Sequence, residues 1–275
     1  MQKQIQPFME PFLSPKLCGY RKGFSSQQAL LSLIEAWKKS LDNKGFGGAV
    51  LMDLSKAFDT LNHELLIAKL FAYGFDKNSL KFLYSYLTNR WQRTKVNNKF
   101  SAWSELIQGV PQGSVLGPLL FNIYLNDLFY LHKETSECNF ADDTTLFACD
   151  LNLNSLINRL QHDCYLVIEW FENNNMKMNQ DKSHLIISGH KYESVWIKMG
   201  EDIVWETNSQ DLLGIKIDNT LNFDSYVSKL CTKASQKLSA LSRICHYMSS
   251  EKKRVLMKAF IESQFSYCPL IWMFH

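Results

Sequence analysis

Two adjacent acidic residues inside an apolar segment constrain this chain more than any other feature. Residues 139–147 read Asn-Phe-Ala-Asp-Asp-Thr-Thr-Leu-Phe, and the segments 136–141 and 144–149 are rich in residues that favour strands. The pattern predicts a β-hairpin with Asp142 and Asp143 at or beside its turn. Neighbouring carboxylates repel each other, and a hard cation such as Mg²⁺ relieves that repulsion. An Asp-Asp pair is also ordinary turn chemistry, so the pair alone leaves both interpretations open.

The charge pattern indicates local basic regions rather than a uniformly basic protein. The chain has 275 residues, is 46% hydrophobic and carries a formal net charge of only +3. Residues 77–100 nevertheless contain six basic and no acidic side chains, and residues 226–258 contain eight basic side chains against Glu251 alone. Such regions suit a phosphate backbone, although solvated helix faces would have the same composition.

Cysteine usage and hydropathy predict a soluble intracellular protein. None of the seven cysteines falls at Cys-x-x-Cys spacing, which argues against a zinc knuckle or a disulfide framework and favours a reducing compartment. The longest apolar stretch, residues 115–131, is interrupted by Asn122, Asn126 and Asp127, so it predicts a buried helix and no membrane association. The patterns do not distinguish the nucleus from the cytoplasm.

The first half of the chain predicts helices around a buried strand. Residues 1–24 lack periodicity and predict an irregular lead-in, after which a capping box at Ser25 and Gln28 opens an amphipathic helix. Residues 48–54 form a short apolar run typical of a buried central strand that ends in Asp53. Helices are predicted over residues 62–73 and 78–89.

The second half predicts a glycine-rich loop, the acidic hairpin and a largely helical end. Residues 108–117 read Gln-Gly-Val-Pro-Gln-Gly-Ser-Val-Leu-Gly and lead into an apolar helix, an arrangement that permits close approach of an anionic ligand. An amphipathic helix follows over residues 156–171. We expect strands at 185–188, 195–199, 203–206 and 212–217, and helices from about residue 224 onward.

Asp53 beside the hairpin would bring three carboxylates to one edge of a sheet. Such a cluster is what two-metal phosphoryl transfer requires, with two Mg²⁺ ions roughly 3.5–4 Å apart. The catalysis then consists mainly of positioning and charge neutralisation.

Four segments in this order resemble the successive motifs of reverse transcriptases, most closely those of non-LTR (LINE-type) retrotransposons. Residues 52–59 read Met-Asp-Leu-Ser-Lys-Ala-Phe-Asp, residues 109–120 contain the glycine-rich loop, and residues 140–143 read Phe-Ala-Asp-Asp. Residues 17–26 resemble the fingers segment that precedes the palm. Residues 212–217 resemble the primer grip, and the C-terminal helices resemble the thumb. The resemblance spans nearly the whole chain.

The resemblance implies a role for individual residues. Asp53, Asp142 and Asp143 match the carboxylates that hold two Mg²⁺ ions, for which Mn²⁺ can substitute. Lys182, in a predicted turn, matches a lysine that protonates the leaving pyrophosphate; an exposed turn lysine without that role is the alternative. Phe58 matches the bulky residue beneath the incoming sugar, which favours deoxynucleotides; a core aromatic is the alternative. Pro111, Gln112 and Gly113 match the loop against which the nucleotide and the template base pack. The resemblance further implies nucleic-acid contacts by Arg21, Lys22, Lys229, Lys233 and Lys237, although solvated charges at Arg21 and Lys22 would have the same sequence.

The resemblance also implies the fold, the reaction and the partners. We expect an α+β right-hand polymerase, with partial fingers at 1–48, a palm at 49–217 that carries a fingers insertion near 77–105, and a helical thumb at 218–275. The expected activity is RNA-directed DNA synthesis from dNTPs, with an RNA template and a DNA primer as partners and no indication of oligomeric state.

Two departures from the family pattern leave alternative interpretations of the chain open. The upstream fingers motifs and a nuclease domain are absent, so we expect a piece of a larger polyprotein or a degraded copy. The rival hypothesis is a truncated remnant that binds nucleic acid without turnover. A polymerase that makes RNA and a carboxylate-pair glycosidase are more distant alternatives, disfavoured by Phe58 and by the glycine-rich loop, respectively.

Overall fold

The computed structural model describes residues 1–189 and 194–273 and combines helices with antiparallel strands. The α-helices are α1 Gln2–Met9, α2 Ser26–Asp42, α3 His63–Ala72, α4 Lys77–Leu87, α5 Gly117–Leu125, α6 Leu153–Asn173, α7 Asp224–Ile244, α8 Ser250–Met257, α9 Ser263–Phe265 and α10 Pro269–Trp272. The strands are β1 Phe46–Leu54, β2 Arg90–Gln92, β3 Lys95–Val96, β4 Lys99–Phe100, β5 Ser104–Leu106, β6 Ser136–Phe140, β7 Asp143–Asp150, β8 Met178–Ser188, β9 Trp196–Met199, β10 Asp202–Trp205, β11 Ser209–Leu212 and β12 Ile215–Asp218. Short 3₁₀ segments occur at Glu10–Phe12, Ala57–Asp59, Asn126–Tyr130 and Cys245–Tyr247, and a π-helical segment at Lys258–Glu262 joins α8 to α9.

A four-stranded antiparallel sheet in the order β6-β7-β1-β8 lies at the centre of the molecule. The predicted central strand is confirmed, because β1 pairs with β7 on one side and with β8 on the other. The predicted hairpin is also confirmed as β6 and β7.

Both faces of this sheet are covered, which explains the continuous apolar run in β1. Val50, Met52 and Leu54 pack into one hydrophobic core, while Ala49 and Leu51 pack into another. Helix α6 contributes its apolar stripe to the first core, and α2 contributes Trp37 and its neighbours to the second. Since successive side chains of a strand point to opposite faces, a strand buried on both sides carries apolar residues at every position.

The prediction that residues 1–24 are irregular was wrong for their first half. Residues 2–9 form α1, with Pro7 inside the helix, and a 3₁₀ turn follows. Ile5 and Met9, one turn apart, are buried, so tertiary packing stabilises a helix that intrinsic propensity does not favour. The amide of Asn126 donates hydrogen bonds to the carbonyl of Phe12 and accepts one from the backbone of Ser14, which fixes this lead-in to the 3₁₀ segment after α5.

The single strand predicted over residues 212–217 was also wrong. The chain instead forms a tight hairpin of β11 and β12, in which Leu212 pairs with Ile215. Leu213 and Gly214 form the turn, with φ angles of +48° and +79°. An apolar run with alternating burial fits one strand or two, and only the glycine in its middle signalled the turn.

The described part of the chain contains no helix that combines the length and apolar character needed to cross a membrane.

Candidate active site

Asp53 and Asp143 lie on neighbouring strands at the same end of the central sheet. The pairing of β1 with β7 runs from Phe46 opposite Asp150 to Met52 opposite Thr144. The next position in that register sets Asp53 opposite Asp143, at the spacing of about 5 Å that antiparallel neighbours have. The sheet therefore brings two of the three carboxylates together by register alone.

Asp142 occupies the turn between β6 and β7. Phe140 and Asp143 form the last pair of the hairpin, which leaves Ala141 and Asp142 as a two-residue turn. Ala141 has a φ of +60°, a left-handed conformation that an alanine adopts only at an energetic cost. Short turns of this kind hold both flanking side chains at one end of the strands.

Asn139 fixes the shape of that turn from below and was not identified from the sequence. Its side chain is fully buried, and its amide nitrogen lies 3.2 Å from the carbonyls of Ala141 and Asp143 and 3.1 Å from the hydroxyl of Thr144. An asparagine just before an Asp-Asp turn is the only sequence signal of this role, because the amide can bond its own backbone a few residues on.

The segment that precedes α2 crosses the top of the hairpin. Cys18 donates its backbone N–H to the carbonyl of Asn139, and the amide of Asn122 donates to the carbonyl of Gly19. A Cβ at Gly19 would lie 2.3 Å from the backbone nitrogen of Ala141, so no other residue fits at this contact. Residues 17–20 therefore support the turn that carries Asp142.

The electrostatics of the cluster show that the carboxylates interact. The Asp143 side chain still reaches solvent, but partial desolvation raises its pKa to about 6, and the negative charges of Asp142 and Asp53 add to the shift. Burial, followed by the charge of Asp142, also raises the pKa of Tyr20, which places that phenol beside the turn. The cluster thus holds more negative charge than its surroundings neutralise.

Lys182 is positioned by an irregularity in β8 rather than by the turn that the sequence predicted. Leu51 pairs with His184 but Asp53 pairs with Asn179, so β8 bulges between these positions. The ammonium group of Lys182 lies 3.8 Å from a carboxylate oxygen of Asp53, and the lysine side chain is 68% exposed. The contact is a weak ion pair that leaves the ammonium free to turn toward a bound phosphate.

A small pocket of about 220 Å³ opens beside the carboxylates. Asp53, Asp143, Lys182 and His184 line one side, and residues 210–213 at the tip of the β11–β12 hairpin line the other. The hairpin that resembles a primer grip therefore adjoins the acidic cluster.

The glycine-rich loop docks onto the turn that follows β1. The backbone N–H of Gly109 donates to the carbonyl of Leu61, and its carbonyl accepts a hydrogen bond of 2.7 Å from the ring of buried His63. Gly109 has a φ of +84°, and a Cβ there would lie 2.7 Å from the carbonyl oxygen of Asp59. Both the positive φ and the close contact with Asp59 require glycine at this position.

The predicted nucleotide-loop residues differ in their surroundings. Pro111 is half-buried, whereas Gln112 and Gly113 are exposed. The amide of Gln112 donates a hydrogen bond of 2.8 Å to the carboxylate of Asp59. This contact holds the exposed loop against the segment that also carries Phe58.

Phe58 is a half-buried aromatic between two other rings. Its ring stacks on that of Phe121 at a centroid distance of 4.5 Å and meets the edge of Tyr20 at 6.0 Å. The position fits both interpretations made from the sequence, because one side of the ring packs on the core and the other faces the exposed Tyr20.

The basic residues divide into one structural arginine and several exposed lysines. Arg21, for which a nucleic-acid contact was predicted, has a side chain that is only 6% exposed and is hydrogen-bonded to Glu10 and to the carbonyls of Ser14 and Leu17. A guanidinium with all these partners stabilises the bend of the chain and has little capacity left for a phosphate. Lys22, by contrast, is exposed.

Three lysines of α7 lie on one face of that helix. Lys229, Lys233 and Lys237 recur every fourth residue, next to the row Tyr226, Leu230 and Ala234 that anchors the helix. Lys229 and Lys233 are exposed and Lys237 is half-buried. This spacing produces a basic stripe at the edge of the buried face.

The donor set suits a metal ion that arrives with a phosphate. Among the described residues, no three His, Cys, Asp or Glu side chains converge so as to hold a metal ion by themselves. Mg²⁺ needs fewer, because it ordinarily takes one or two carboxylates together with waters and substrate phosphates. A cation there would favour the ionised form of Asp143, whose pKa is raised first by desolvation and then by the charges of Asp142 and Asp53.

Residues 1–217 match the family model described as reverse transcriptase (RNA-dependent DNA polymerase). The chain belongs to the reverse transcriptase family. Its resemblance to non-LTR, LINE-type members is supported by its similarity to curated RNA-directed DNA polymerases of Drosophila melanogaster mobile elements.

Three of these relatives cover most of the chain. It is 26% identical over 269 residues to a probable RNA-directed DNA polymerase from transposon X-element, and the alignment covers 92% of this chain and 29% of that protein. It is 25% identical to the corresponding protein from transposon BS, with coverage of 88% and 28%, and 23% identical to that from mobile element jockey, with coverage of 82% and 25%. The chain thus spans less than a third of the length of these relatives.

Solved structures of telomerase from Candida tropicalis share the fold. The apo enzyme truncated from its C-terminal domain matches with a TM-score of 0.52 at 14% identity, covering 79% of this chain and 43% of that one. The complex with a fragment of telomeric RNA matches with a TM-score of 0.51 at 14% identity, covering 89% and 41%. The α+β, palm-like fold expected for a reverse transcriptase is therefore confirmed.

Proposed function

We propose that this chain is the polymerase part of a LINE-type retrotransposon protein and performs RNA-directed DNA synthesis. The reaction is attack of a primer 3′-hydroxyl on the α-phosphate of a dNTP with release of pyrophosphate. The observation that carries the proposal is the placement of Asp53 and Asp143 on neighbouring strands at one end of the sheet, with Asp142 in the adjoining turn.

Asp53, Asp142 and Asp143 would hold two Mg²⁺ ions, or Mn²⁺ in their place. Bound there, the metals would lower the pKa of the primer hydroxyl and neutralise charge on the leaving pyrophosphate. The short turn around Ala141 keeps the two hairpin carboxylates at fixed positions, with the buried amide of Asn139 beneath them. Lys182 supplies a proton to the leaving pyrophosphate from its place beside Asp53.

The nucleotide would lie between Phe58 and the loop that contains Pro111, Gln112 and Gly113. Phe58 excludes a 2′-hydroxyl by its bulk, since its ring is fixed by stacking on Phe121. The hydrogen bond from Gln112 to Asp59 holds the loop close to this ring before a nucleotide binds.

The domain roles follow the family pattern. We assign residues 1–48 to the fingers, 49–217 to the palm with an insertion near 77–105, and 218–275 to the thumb. Lys229, Lys233 and Lys237 would track the phosphates of an RNA–DNA duplex, and Lys22 would contact nucleic acid in the fingers.

The test is incorporation of labelled dNTPs on an RNA template annealed to a DNA primer, with Mg²⁺ or Mn²⁺ present and then chelated. We expect incorporation that requires the metal and all four dNTPs. A folded protein that binds the duplex but incorporates nothing with either metal would instead be a binding remnant of this fold.

A further inference from the structure

The insertion between α4 and the glycine-rich loop forms a two-stranded flap outside the core, which we call the aromatic flap (residues 90–106). Strands β2 and β5 pair at its base and β3 and β4 at its tip. Asn97 and Asn98 form the tip turn, with φ angles of +45° and +63°. Asparagine tolerates this left-handed conformation better than most residues, so the tip is a sequence-encoded turn.

The flap presents large aromatic side chains to solvent. Every residue from 90 to 105 is exposed, including Trp91 at 57%, Phe100 at 51% and Trp103 at 58%. Such a concentration of exposed rings on a small element contributes nothing to the described core and marks an interaction surface.

Cations lie over these rings. The guanidinium carbon of Arg93 lies 3.9 Å from the ring centroid of Phe100 and 4.5 Å from that of Trp103, and the ammonium of Lys95 lies 5.3 Å from Phe100. Residues 90–105 include four basic side chains and one acidic one, Glu105. Aromatic faces among positive charges are the combination that binds single-stranded nucleic acid, through base stacking and phosphate contacts.

The flap stands next to the glycine-rich loop. A cavity of about 780 Å³ lies between them, lined by Arg90, Trp91 and Gln92 on the flap and by residues 108–112 on the loop. Lys56, which follows β1, and the acidic residues Asp59 and Glu105 also line it. A strand that leaves a nucleotide site formed by the loop would therefore meet Trp91 first.

We propose that the aromatic flap binds the unpaired RNA template ahead of the duplex, with successive bases stacked on Trp91 and Trp103 and phosphates held by Arg90, Arg93, Lys95 and Lys99. The identity of the strand as template rests on the proposed polymerase function. Unpaired bases are required because duplex bases are already stacked on each other and offer no free face. The recognition is largely blind to sequence, since every base has a stacking face.

The first test measures binding of an unstructured, fluorescein-labelled RNA of about 12 nucleotides by anisotropy. We expect the double variant Trp91→Ala, Trp103→Ala to bind this RNA about tenfold or more weakly. The matched control is Trp205→Ala, which removes an equally exposed tryptophan (55%) from β10 and is expected to leave affinity unchanged. Equal affinities for wild type, control and double variant would overturn the proposal.

Salt dependence separates the aromatic from the cationic contribution. The tryptophan variant should keep the wild-type slope of affinity against salt concentration, because stacking releases no counterions. The variant Lys95→Ala, Lys99→Ala should lower that slope by about 1.4. Unchanged slopes in the lysine variant would contradict the phosphate contacts.

Two further outcomes distinguish this proposal from the polymerase assignment and from a protein partner. Binding needs no turnover, so the Asp142→Asn, Asp143→Asn variant should bind the RNA as wild type does. Flap-dependent RNA binding without dNTP incorporation would leave the flap proposal standing and reject the polymerase function. If the tryptophan variant changed only the sedimentation of a self-associated protein and not RNA affinity, the flap would be a protein interface and the proposal wrong.

Discussion

At the scale of residues, ionisation of Asp143 is opposed first by desolvation and then by the negative charges of Asp142 and Asp53. The pKa of Asp143 is raised to about 6, whereas an unfolded chain would have a value near 3.9. At a pH between those two pKa values, the Asp143 carboxyl group is ionised in the unfolded state and protonated in the folded state. The free energy of unfolding therefore falls as the pH rises from about 4 to about 6 in the absence of metal.

The variant Asp143→Asn tests this cost of ionising Asp143 in the folded protein. It should raise the melting temperature at pH 7 without metal by about 2 °C, allowing for the exposure of this side chain, and by less at pH 4, where the wild-type group is already neutral. Thermal melts at both pH values, with and without Mg²⁺, measure the effect. Mg²⁺ should stabilise the wild type more than the variant; an equal increase in both would indicate that the cluster binds no metal.

Phe58 offers a second residue-scale prediction. The change Phe58→Val removes the ring stacked on Phe121 and opens space beneath the sugar. We expect the ratio of ribonucleotide to deoxynucleotide incorporation to rise about tenfold or more, measured as kcat/KM for each. Phe121→Leu, which removes only the supporting ring, is the control; a rise of the same size in the control would show that packing, and not the sugar contact, sets the preference.

At the scale of elements, the segment at residues 17–20 couples the N-terminal region to the acidic hairpin. Gly19→Ala would force a Cβ to 2.3 Å from the backbone of Ala141 and displace the turn that carries Asp142. We expect kcat to fall at least tenfold, with KM for dNTP changing less, because the carboxylates move relative to each other.

Gly23→Ala is the matched control for this prediction. Gly23 has a φ of +88° with no atom within 4 Å of the added Cβ, so that substitution introduces backbone strain without a collision. Equal loss of kcat in both variants would mean that strain in the segment, and not its contact with the hairpin, matters for activity.

The sequence predicted those elements that local pattern determines. The β6–β7 hairpin and the buried strand β1 were recognised because alternation, turn residues and apolar runs identify strands directly. The sequence did not reveal that Gly19 contacts Ala141 or that Asn139 hydrogen-bonds the turn, since both contacts depend on segments brought together by the fold.

The roles of two residues also could not be predicted from the local sequence. Arg21 was predicted to contact nucleic acid, but nothing local shows that Glu10 would occupy its guanidinium. Lys182 was expected in a turn, and its place in a bulge of β8 depends on pairing with β1.

At the scale of the whole molecule, the C-terminal segment returns to the N-terminal half of the chain. Tyr267 donates its hydroxyl to the carbonyl of Leu213 at 2.6 Å and lies 3.1 Å from the hydroxyl of Ser26 at the start of α2. Nearby, Ile271 and Trp272 are buried in the core that contains Trp37. The helices after β12 are thereby tied to both α2 and the hairpin beside the acidic cluster.

Tyr267→Phe tests this tie with minimal change in packing. The loss of the hydroxyl should cost about 1 kcal/mol of unfolding free energy, which corresponds to about 2–4 °C in melting temperature. If the hairpin positions the primer, KM for the primer–template should rise while KM for dNTP stays constant. Tyr247→Phe, at a residue that is 84% exposed, is the control; a shift of KM for dNTP alone would contradict a role in primer positioning.

In the proposed function, Asp142 and Asp143 hold the metals for DNA synthesis on RNA. The most direct measurement is Mg²⁺-dependent dNTP incorporation by the wild type, by the folded variant Asp142→Asn, Asp143→Asn and by the control Asp202→Asn, at an exposed acid of β10. We predict incorporation by the wild type and control, abolished in the double variant while its affinity for the primer–template is retained. Undiminished incorporation in the double variant would contradict the account.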